Sequence, residues 1–409
     1  MSGRAAFIAI LLTSLMQLDA QAAGPRAPTL IEHLEIEKSP LLLYVAKGAP
    51  GACGEGCSEW IAAEGQFDSG SFERLRMFLK RMPGRQLPIY FYSPGGLTDN
   101  AIAIGRLLRE REMTAGVAKT VPEACEGKST DACRALKRTG QTLAARWRSV
   151  DGGCNSSCVY ALIGAKTRDV PPGASVGIHS SKVPYIGESA RAAARARLAS
   201  FNLELRRYIR EMGIDDGLFA AILKVPFEKV HILSRDEIVR FGIDRRTIQE
   251  TPWVFVEPQR PHPASVIKLF TRAKGPEQSE IRTGLIRLRC NGADHLNVRY
   301  VRGLASDEIV LAARSSTTFA RIRLVAGSAS LAFPIQSLIS NIETVDSEGS
   351  TDGRGLSSSI AFFEAAATRA NLEVVEAPPS GEPTAQPRVL TLSTQGLLQA
   401  IAMLRRSCI

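Results

Sequence analysis

One stretch carries most of the information about the fold of this chain: "GGCNSSCVYALIGAKTRDVPPGASVGIHSS", Gly152 to Ser181. Two cysteines bracket a pair of serines, an apolar run follows, and a second apolar run ends at a histidine. The first run predicts a buried helix, and "ASVGIHS" predicts a strand. One helix and one returning strand would bring His179 back beside the two serines, Ser156 and Ser157.

The first residues have the composition of a secretory signal peptide. Arg4 precedes an apolar run from Ala5 to Leu15, and Ala20-Gln21-Ala22 supplies small residues at the cleavage positions. This run is too short for a permanent bilayer anchor. We expect residues 1–22 to be removed during bacterial export, giving a periplasmic or secreted product. An uncleaved anchor is the alternative.

Eight cysteines in an exported chain predict disulfides. Sequence alone does not fix their pairing, but the spacings suggest three local bridges and one that closes the C-terminal part. A zinc site built from two C-x3-C pairs is the alternative, which oxidation disfavours, so we expect neither metal nor cofactor. The suggested pairs are Cys53 with Cys57, Cys125 with Cys133, Cys154 with Cys158, and Cys290 with Cys408.

Length and charge limit the architecture and the partners. A chain of 409 residues is too long for one ordinary core, and 44% hydrophobic residues indicate globular folding. Export and the lack of an aromatic-basic stripe argue against nucleic acid. The net charge of +10 could favour an anionic membrane surface or an acidic partner, although a solvated basic surface also explains it.

The order of predicted elements indicates an α/β domain followed by a β-rich one. From about 40 to 257, strand-like and helix-like segments alternate, which favours a mostly parallel sheet. Residues 121–150 form a polar, basic insertion that a local disulfide would staple. Prolines mark a linker at 258–279, and 280–409 is rich in strand patterns, including "EIVLAA". The chain ends in an amphipathic helix with four inward residues, Leu397, Leu398, Ile401 and Leu404.

A second motif, Ser93-Pro94-Gly95-Gly96, follows the strand pattern "LPIYFYS" and precedes a helix that Thr98 or Asp99 would cap. Paired glycines let the backbone approach a ligand, and free N–H groups there can stabilise an oxyanion. Taken singly, this motif is a turn, Ser156 a helix cap and His179 a buried histidine. Serine becomes a nucleophile only when a base takes its proton, so the three together favour catalysis.

These motifs, in this order, resemble the exported relatives of the Clp-type serine peptidases. "SPGG", then Cys154-x-Ser156-x-Cys158, then Gly177-Ile178-His179 carry the resemblance, which "CSEWIAAEG" and "LSRDEIVRFGI" extend. It covers roughly residues 40–257. The resemblance implies an α/β, ClpP/crotonase-like spiral of β-β-α units, here followed by a small β-rich C-terminal domain.

The resemblance also implies roles for single residues. Ser156 would be the nucleophile and His179 the general base, with oxyanion donors from the backbone of Gly95 or Gly96 and of Ser157. Ser157 is the rival nucleophile. The Cys154–Cys158 bridge would fix the turn that presents the serine, although it could also be a staple without a catalytic role.

One departure from the family pattern concerns the third catalytic residue. Clp-type peptidases carry an aspartate four positions before the serine of the "LS-x-x-E" helix, and Val230 stands there in this chain. Glu228, Asp215 or Asp216 could orient His179 instead, or the site could be a Ser-His dyad. Loss of the orienting acid lowers the rate by about four orders of magnitude where it has been removed by mutation.

The sequence therefore predicts an exported serine hydrolase that acts on a peptide or protein substrate, and the resemblance raises the expectation of a homo-oligomer. A non-catalytic binding or assembly module on the same fold is the first alternative, which the residue at Val230 favours. Crotonase-like acyl-CoA chemistry is a second alternative, which export disfavours.

Overall fold

A computed structural model of the protein describes residues 39–54, 56–150, 152–183, 187–246, 249–258, 263–272, 282–304, 321–334, 357–377 and 387–408. All of them belong to one compact unit, 36–409. The predicted signal peptide, the predicted strand "EIVLAA" and most of the loop "APPSGEPTAQP" lie outside the described residues. Within the described part, no helix is both long enough and apolar enough to cross a membrane.

The first part of the chain alternates strands and helices, as the sequence patterns predict. Its elements are β1 (Leu42–Lys47), β2 (Glu59–Glu64), α1 (Ser71–Lys80), β3 (Ile89–Tyr92), α2 (Thr98–Glu110), β4 (Thr114–Val117), β5 (Lys119–Pro122), α3 (Thr130–Lys137), β6 (Leu143–Arg148), β7 (Gly153–Asn155), α4 (Cys158–Gly164), β8 (Thr167–Asp169), β9 (Ser175–Ile178), α5 (Glu188–Glu211), α6 (Asp216–Lys224), β10 (His231–Ile232) and α7 (Arg235–Arg240).

The larger of the two sheets built from these strands has the order β5-β6-β1-β2-β3-β4-β8. Strands β2, β3, β4 and β8 run parallel, whereas β1 is antiparallel to β2. Side chains alternate between its two faces, as strand geometry requires. Ile61 and Phe91 pack into the main core with the helices, and Trp60 and Tyr90 pack into a second core on the other face.

The predicted insertion at 121–150 is part of this sheet and not only a loop. Strands β5 and β6 pair with each other, and β6 pairs with β1. Helix α3 between them is anchored by Lys137, whose ammonium group lies 2.5 Å from a Glu64 carboxylate oxygen. The hydroxyl of Tyr44 donates to the other oxygen of that carboxylate.

A small three-stranded sheet, β10-β9-β7, positions the residues of the opening motif. Strand β7 pairs in parallel with β9, with Asn155 opposite Gly177. Ser93, directly after β3, forms a bridge to Cys154, so the small sheet joins the large one at the end of β3. The serine turn, the glycine loop and the histidine strand therefore meet at one edge.

The last part of the chain is rich in strands. Its elements are β11 (Val254–Val256), β12 (Ser265–Arg272), β13 (Arg282–Cys290), β14 (His295–Leu304), β15 (Arg321–Ala326), β16 (Ala329–Pro334), β17 (Ser357–Ser359), α8 (Ile360–Ala367), β18 (Asn371–Ala377), β19 (Arg388–Ser393) and α9 (Leu397–Arg406). They form a five-stranded sheet, β11-β12-β13-β14-β17, and a four-stranded sheet, β16-β15-β18-β19. This part has its own hydrophobic core, and the division into two domains stays a prediction.

Three local expectations are wrong. The predicted linker at 258–279 contains strand β12, because Val266 and Phe270 beyond the proline cluster are buried in a sheet. Leu398 is exposed on helix α9, where Ala400 lies inward in its place. Neither Thr98 nor Asp99 caps α2. Leu97 holds the N-cap position without a side-chain cap, and its N–H donates to the Phe67 carbonyl.

Four disulfides are present, and they join the pairs that the spacings suggested. Three bridges are local, between residues four or eight positions apart. The fourth joins Cys290 at the end of β13 to Cys408, two residues after α9, across 118 positions. No free cysteine remains among the described residues.

Candidate active site

Ser156 occupies a sharp turn between strand β7 and helix α4. Its φ angle is 56°, in the left-handed region that a residue with a side chain adopts only at some energetic cost. Its N–H donates to the Gly177 carbonyl at 2.8 Å, and the Cys154–Cys158 disulfide spans the turn. The cysteine bracket therefore encloses a strained serine that is bonded to the neighbouring strand.

The glycine loop lies directly against this serine. A Cβ atom placed on Gly95 would lie 2.6 Å from Ser156 Cβ and 3.1 Å from Ser156 Oγ. Gly95 also has a φ angle of 103°, which favours glycine. The structure thus brings together two motifs that are some sixty positions apart in the chain, and only glycine fits at their contact.

The predicted oxyanion donors differ in their hydrogen bonding. The Gly95 N–H donates to the hydroxyl of the buried Ser93, at 3.1 Å. Among the described residues, no acceptor pairs with the N–H of Gly96 or of Ser157. The Gly96 and Ser157 groups are therefore the two of the three that remain available for a negatively charged oxygen.

His179 follows directly after strand β9, so its backbone lies next to the serine turn. Its Nδ1 lies 2.8 Å from the Ser180 carbonyl oxygen. Because a carbonyl only accepts, Nδ1 carries a proton, and in the neutral ring the lone pair that a base needs is then on Nε2. The Phe227 ring packs edge-on against the imidazole at 5.2 Å between centroids. No hydrogen bond joins His179 to Ser156 Oγ among the described residues.

The three predicted orienting acids make other contacts. Asp215 caps helix α6 and accepts from the Gly217 N–H. The guanidinium groups of Arg206 and Arg210 hold the pKa of Asp216 well below its usual range.

Glu228 interacts electrostatically with His179. A hydrogen bond from its own backbone N–H and the Lys182 ammonium group, 3.2 Å away, lower the pKa of Glu228, with a smaller contribution from His179. Strand β10, which Val230 precedes, pairs with β9. No carboxylate hydrogen-bonds to the imidazole among the described residues.

The motifs do not single out Asn155, yet its side chain lies inside the site. Asn155 is 6% exposed, and its Oδ1 has no donor among the described residues. A Cβ atom on Gly177 would lie 2.3 Å from this Oδ1 and 2.7 Å from Val230 Cγ1, so the two side chains meet above Gly177. An unpaired buried acceptor costs about 1–3 kcal/mol. The position directly before the serine and the glycine of the "GIH" motif are the signals in the sequence.

Exposed apolar side chains flank the candidate residues. Leu97 follows the glycine loop and is 51% exposed, and Phe227 and Val230 near the histidine are 46% and 38% exposed. Single apolar side chains are common on protein surfaces, but these three lie next to candidate residues: Leu97 follows Gly96, Phe227 packs against His179, and Val230 lies beside Gly177.

No protein-family model matches the chain, and no curated protein matches it. Among the solved structures that are partly similar to it are two mutant proteases. A mutant of the membrane-bound stomatin-specific protease 1510-N matches with a TM-score of 0.30 and 12% identity, over 49% of this chain and 78% of that one. A mutant of ClpP1 from Listeria monocytogenes matches with a TM-score of 0.29 and 14% identity, over 51% and 91%. Both leave about half of this chain unmatched.

Proposed function

We propose that this protein is an exported serine hydrolase that cleaves peptides by acyl transfer to a serine that a histidine activates. One observation carries the proposal. The strained Ser156 lies over Gly95, and its N–H is hydrogen-bonded to Gly177 on β9, the strand directly before His179. Backbone strain of this kind concentrates at functional sites. Four disulfides support an oxidising compartment outside the cytoplasm.

The proposed reaction proceeds in two steps. His179 Nε2 takes the proton of Ser156 as Oγ attacks the substrate carbonyl, and the N–H groups of Gly96 and Ser157 bind the resulting oxyanion. Its collapse breaks the C–N bond, and the imidazolium returns the proton to the leaving amine. Water then attacks the acyl-enzyme in the same way, which releases the acid and restores Ser156.

His179 must turn before it can act, because it is not bonded to Ser156 in this structure. The Ser180 carbonyl already holds the tautomer with a free Nε2. A rotation about the side-chain bonds of an exposed or half-buried residue takes only picoseconds to nanoseconds. The hydrogen bond to Ser180 therefore describes a resting arrangement of the base.

The same proposal covers the export, the domain organisation and the assembly of the protein. It includes a cleaved signal peptide, a ClpP/crotonase-like spiral at 40–257, a β-rich domain at 280–409 that binds substrate or a partner, and assembly with further copies of the chain. The exposed apolar residues at the site support a peptide substrate with an apolar segment.

A non-catalytic binding module is the second candidate. Val230 at the position of the family acid and the missing Ser156–His179 hydrogen bond favour it. In that case the site would bind a ligand and form no acyl-enzyme.

A fluorophosphonate probe, which reacts with activated serines, separates the two candidates. We expect the wild type to be labelled, Ser156→Ala to lose the label, and Ser200→Ala, a change at an exposed position on α5, to keep it. A His179→Gln variant should react at least a hundredfold more slowly, as loss of the base predicts. Equal labelling of wild type and Ser156→Ala, or no labelling of the folded wild type, would rule out the proposed hydrolase.

A further inference from the structure

We propose that Asn155 is a positioning residue for His179. Its side-chain oxygen accepts the imidazole Nδ1–H when the ring turns towards Ser156, and so takes the place of the third catalytic acid. This inference rests on the proposed function, because it assumes that His179 acts as the base of Ser156.

The small sheet places Asn155 and His179 on one face. Cys154, Val176 and Ile178 point into the main hydrophobic core. Because side chains alternate along a strand, Asn155 on β7 and Gly177 on β9 lie on the opposite face. His179 continues that alternation directly beyond β9, one step above Gly177.

Gly177 leaves room for the amide. Asn155 and Gly177 are direct partners across the two strands, and any Cβ atom at Gly177 would lie 2.3 Å from Asn155 Oδ1. A side chain at the glycine of the "GIH" motif would therefore clash with the Asn155 amide, which gives a steric reason for glycine at this position. The amide oxygen reaches across β9 towards Val230, the residue at the position where the family acid is expected.

The orphan oxygen needs a donor, and His179 carries one on the same face of the sheet. On this face the Ser175 hydroxyl is engaged with the Gly152 carbonyl at 3.2 Å. Val230 and Ile232 carry no polar side-chain atoms. The imidazole Nδ1–H, now on the Ser180 carbonyl, is the remaining donor on this face of the described sheet.

The charged groups around His179 already have partners. Lys182 and Glu228 pair with each other at 3.2 Å, and Lys182 also lies over the Phe227 ring. His231 on β10 pairs with Glu237 at 3.0 Å. A neutral amide beside the imidazole fixes its tautomer without adding a charge to this group.

Selective labelling of histidine carbons with NMR detection gives the test, with the His179 signal assigned from a His179→Gln variant. A carboxylate that accepts from an imidazole raises its pKa, so Asn155→Asp should raise the His179 pKa by about one unit or more. Ser175→Asp serves as the control, because it places the same charge on the same face without direct access, and it should shift this pKa less. Unchanged titration of His179 in Asn155→Asp overturns the proposal.

The rate of fluorophosphonate labelling against pH gives a second readout. Asn155→Ala should slow labelling by roughly tenfold or more, as loss of a base-orienting contact does. Asn155→Asp should keep the reaction and move its acid limb in the direction of the NMR shift. A wild-type rate and pH profile in folded Asn155→Ala contradicts the role. If the wild type is not labelled at all, the hydrolase proposal fails, while the NMR titration still decides whether Asn155 contacts His179.

Discussion

At the scale of single residues, the backbone of Ser156 and the glycine beside it set the geometry of the candidate site. Ser156 keeps a left-handed φ angle because the Gly177 carbonyl and the flanking disulfide hold it there. Gly95 meets it so closely that no side chain fits between them. Both features are local, but their contact joins distant parts of the chain.

Gly95→Ala should abolish fluorophosphonate labelling and lower the melting temperature. The new methyl group would lie 2.6 Å from Ser156 Cβ, and the positive φ angle adds roughly 1–2 kcal/mol of strain. Gly84→Ala is the matched control, since Gly84 also has a positive φ angle, 74°, but faces open space. The Gly84→Ala protein should have a melting temperature lowered only by the backbone strain, and fluorophosphonate should label it as fully as the wild type. A Gly95→Ala protein that labels like the control would contradict the close contact.

At the scale of elements, the cysteine bracket joins a strand to a helix across the serine turn. The Cys154 side chain, on strand β7, lies in the main core, and Cys158 is the first residue of the fully buried helix α4. Ser157 makes no side-chain cap, so the disulfide and backbone hydrogen bonds such as the one from Ser156 to Gly177 hold the turn. The bridge should therefore matter more for the position of Ser156 than for the rest of the fold.

Replacement of both Cys154 and Cys158 by alanine should cost roughly 2 kcal/mol in unfolding free energy and slow labelling strongly. The same double replacement at Cys53 and Cys57 is the control, because that bridge has the same four-residue separation and lies in the β1–β2 loop. It should cost a similar amount of stability but leave labelling near the wild-type rate. Urea denaturation and labelling kinetics measure both effects. Equal loss of labelling in the two proteins would argue against a special role of the bracket.

The insertion shows a second element-scale feature, its anchor to the large sheet. Lys137 from α3 reaches Glu64 at the end of β2, and the Tyr44 hydroxyl donates to the same carboxylate. Burial and the neighbouring Glu64 raise the pKa of Tyr44 well above its usual value. Removal of the lysine alone would leave this carboxylate buried without a cation.

Lys137→Met should therefore destabilise the protein by about 3–5 kcal/mol, the usual result when one partner of a buried pair is lost. Lys128→Met, at an exposed position in the same insertion, should change stability by less than about 0.5 kcal/mol. Chemical denaturation of both variants checks this. A loss in Lys137→Met no larger than in the control would show that α3 is not anchored through Glu64.

At the scale of the whole molecule, Lys268 joins the two sheets of the C-terminal part. It lies on β12, is 0% exposed, and contacts Glu250 at 2.8 Å and the carbonyl of Ser393, at the end of β19, at 2.9 Å. Burial lowers the pKa of Lys268, and the Glu250 carboxylate opposes that shift. The Trp253 indole also donates to the Ser393 carbonyl, so that acceptor keeps a partner without the lysine.

Lys268→Met should leave stability at neutral pH unchanged or raise it, because Glu250 is partly exposed and can be hydrated. Glu250→Gln should instead cost about 3–5 kcal/mol, because it leaves a buried ammonium unpaired. Because the folded-state pKa of Lys268 is lowered, the destabilisation from burying its charge is fully present below that pKa. It decreases as pH rises and is gone once the lysine of the unfolded chain also loses its proton, near pH 10.5. The wild type should therefore gain stability relative to Lys268→Met as pH rises towards 10.5 in urea denaturation. A Met variant that is clearly less stable at pH 7 would contradict this account.

The spacing of hydrophobic residues predicted helices and strands well where the same periodic pattern of buried side chains runs through the whole element. Leu397, Ile401 and Leu404 on α9 are buried as helical spacing predicts. The pattern failed at Leu398, since helical position alone does not say which of several leucines a neighbouring sheet covers. It also failed at β12, because prolines nearby suggested a linker, whereas burial of Val266 and Phe270 depends on strands far away in the chain.

The sequence by itself determined the chemistry that can occur at the site: a serine between bracketing cysteines, a glycine pair after a strand and a histidine after another. Its short cysteine spacings also suggested the three local disulfides, and the structure shows these pairings. Only the tertiary structure decided how hydrogen bonds are shared among these groups. The Ser93 hydroxyl accepts a hydrogen bond from the Gly95 N–H, and the Ser180 carbonyl accepts one from His179 Nδ1. The Asn155 side-chain oxygen has no donor among the described residues. The physical reason is that each of these bonds depends on which strand ends meet, and that arrangement is set by packing over the whole core.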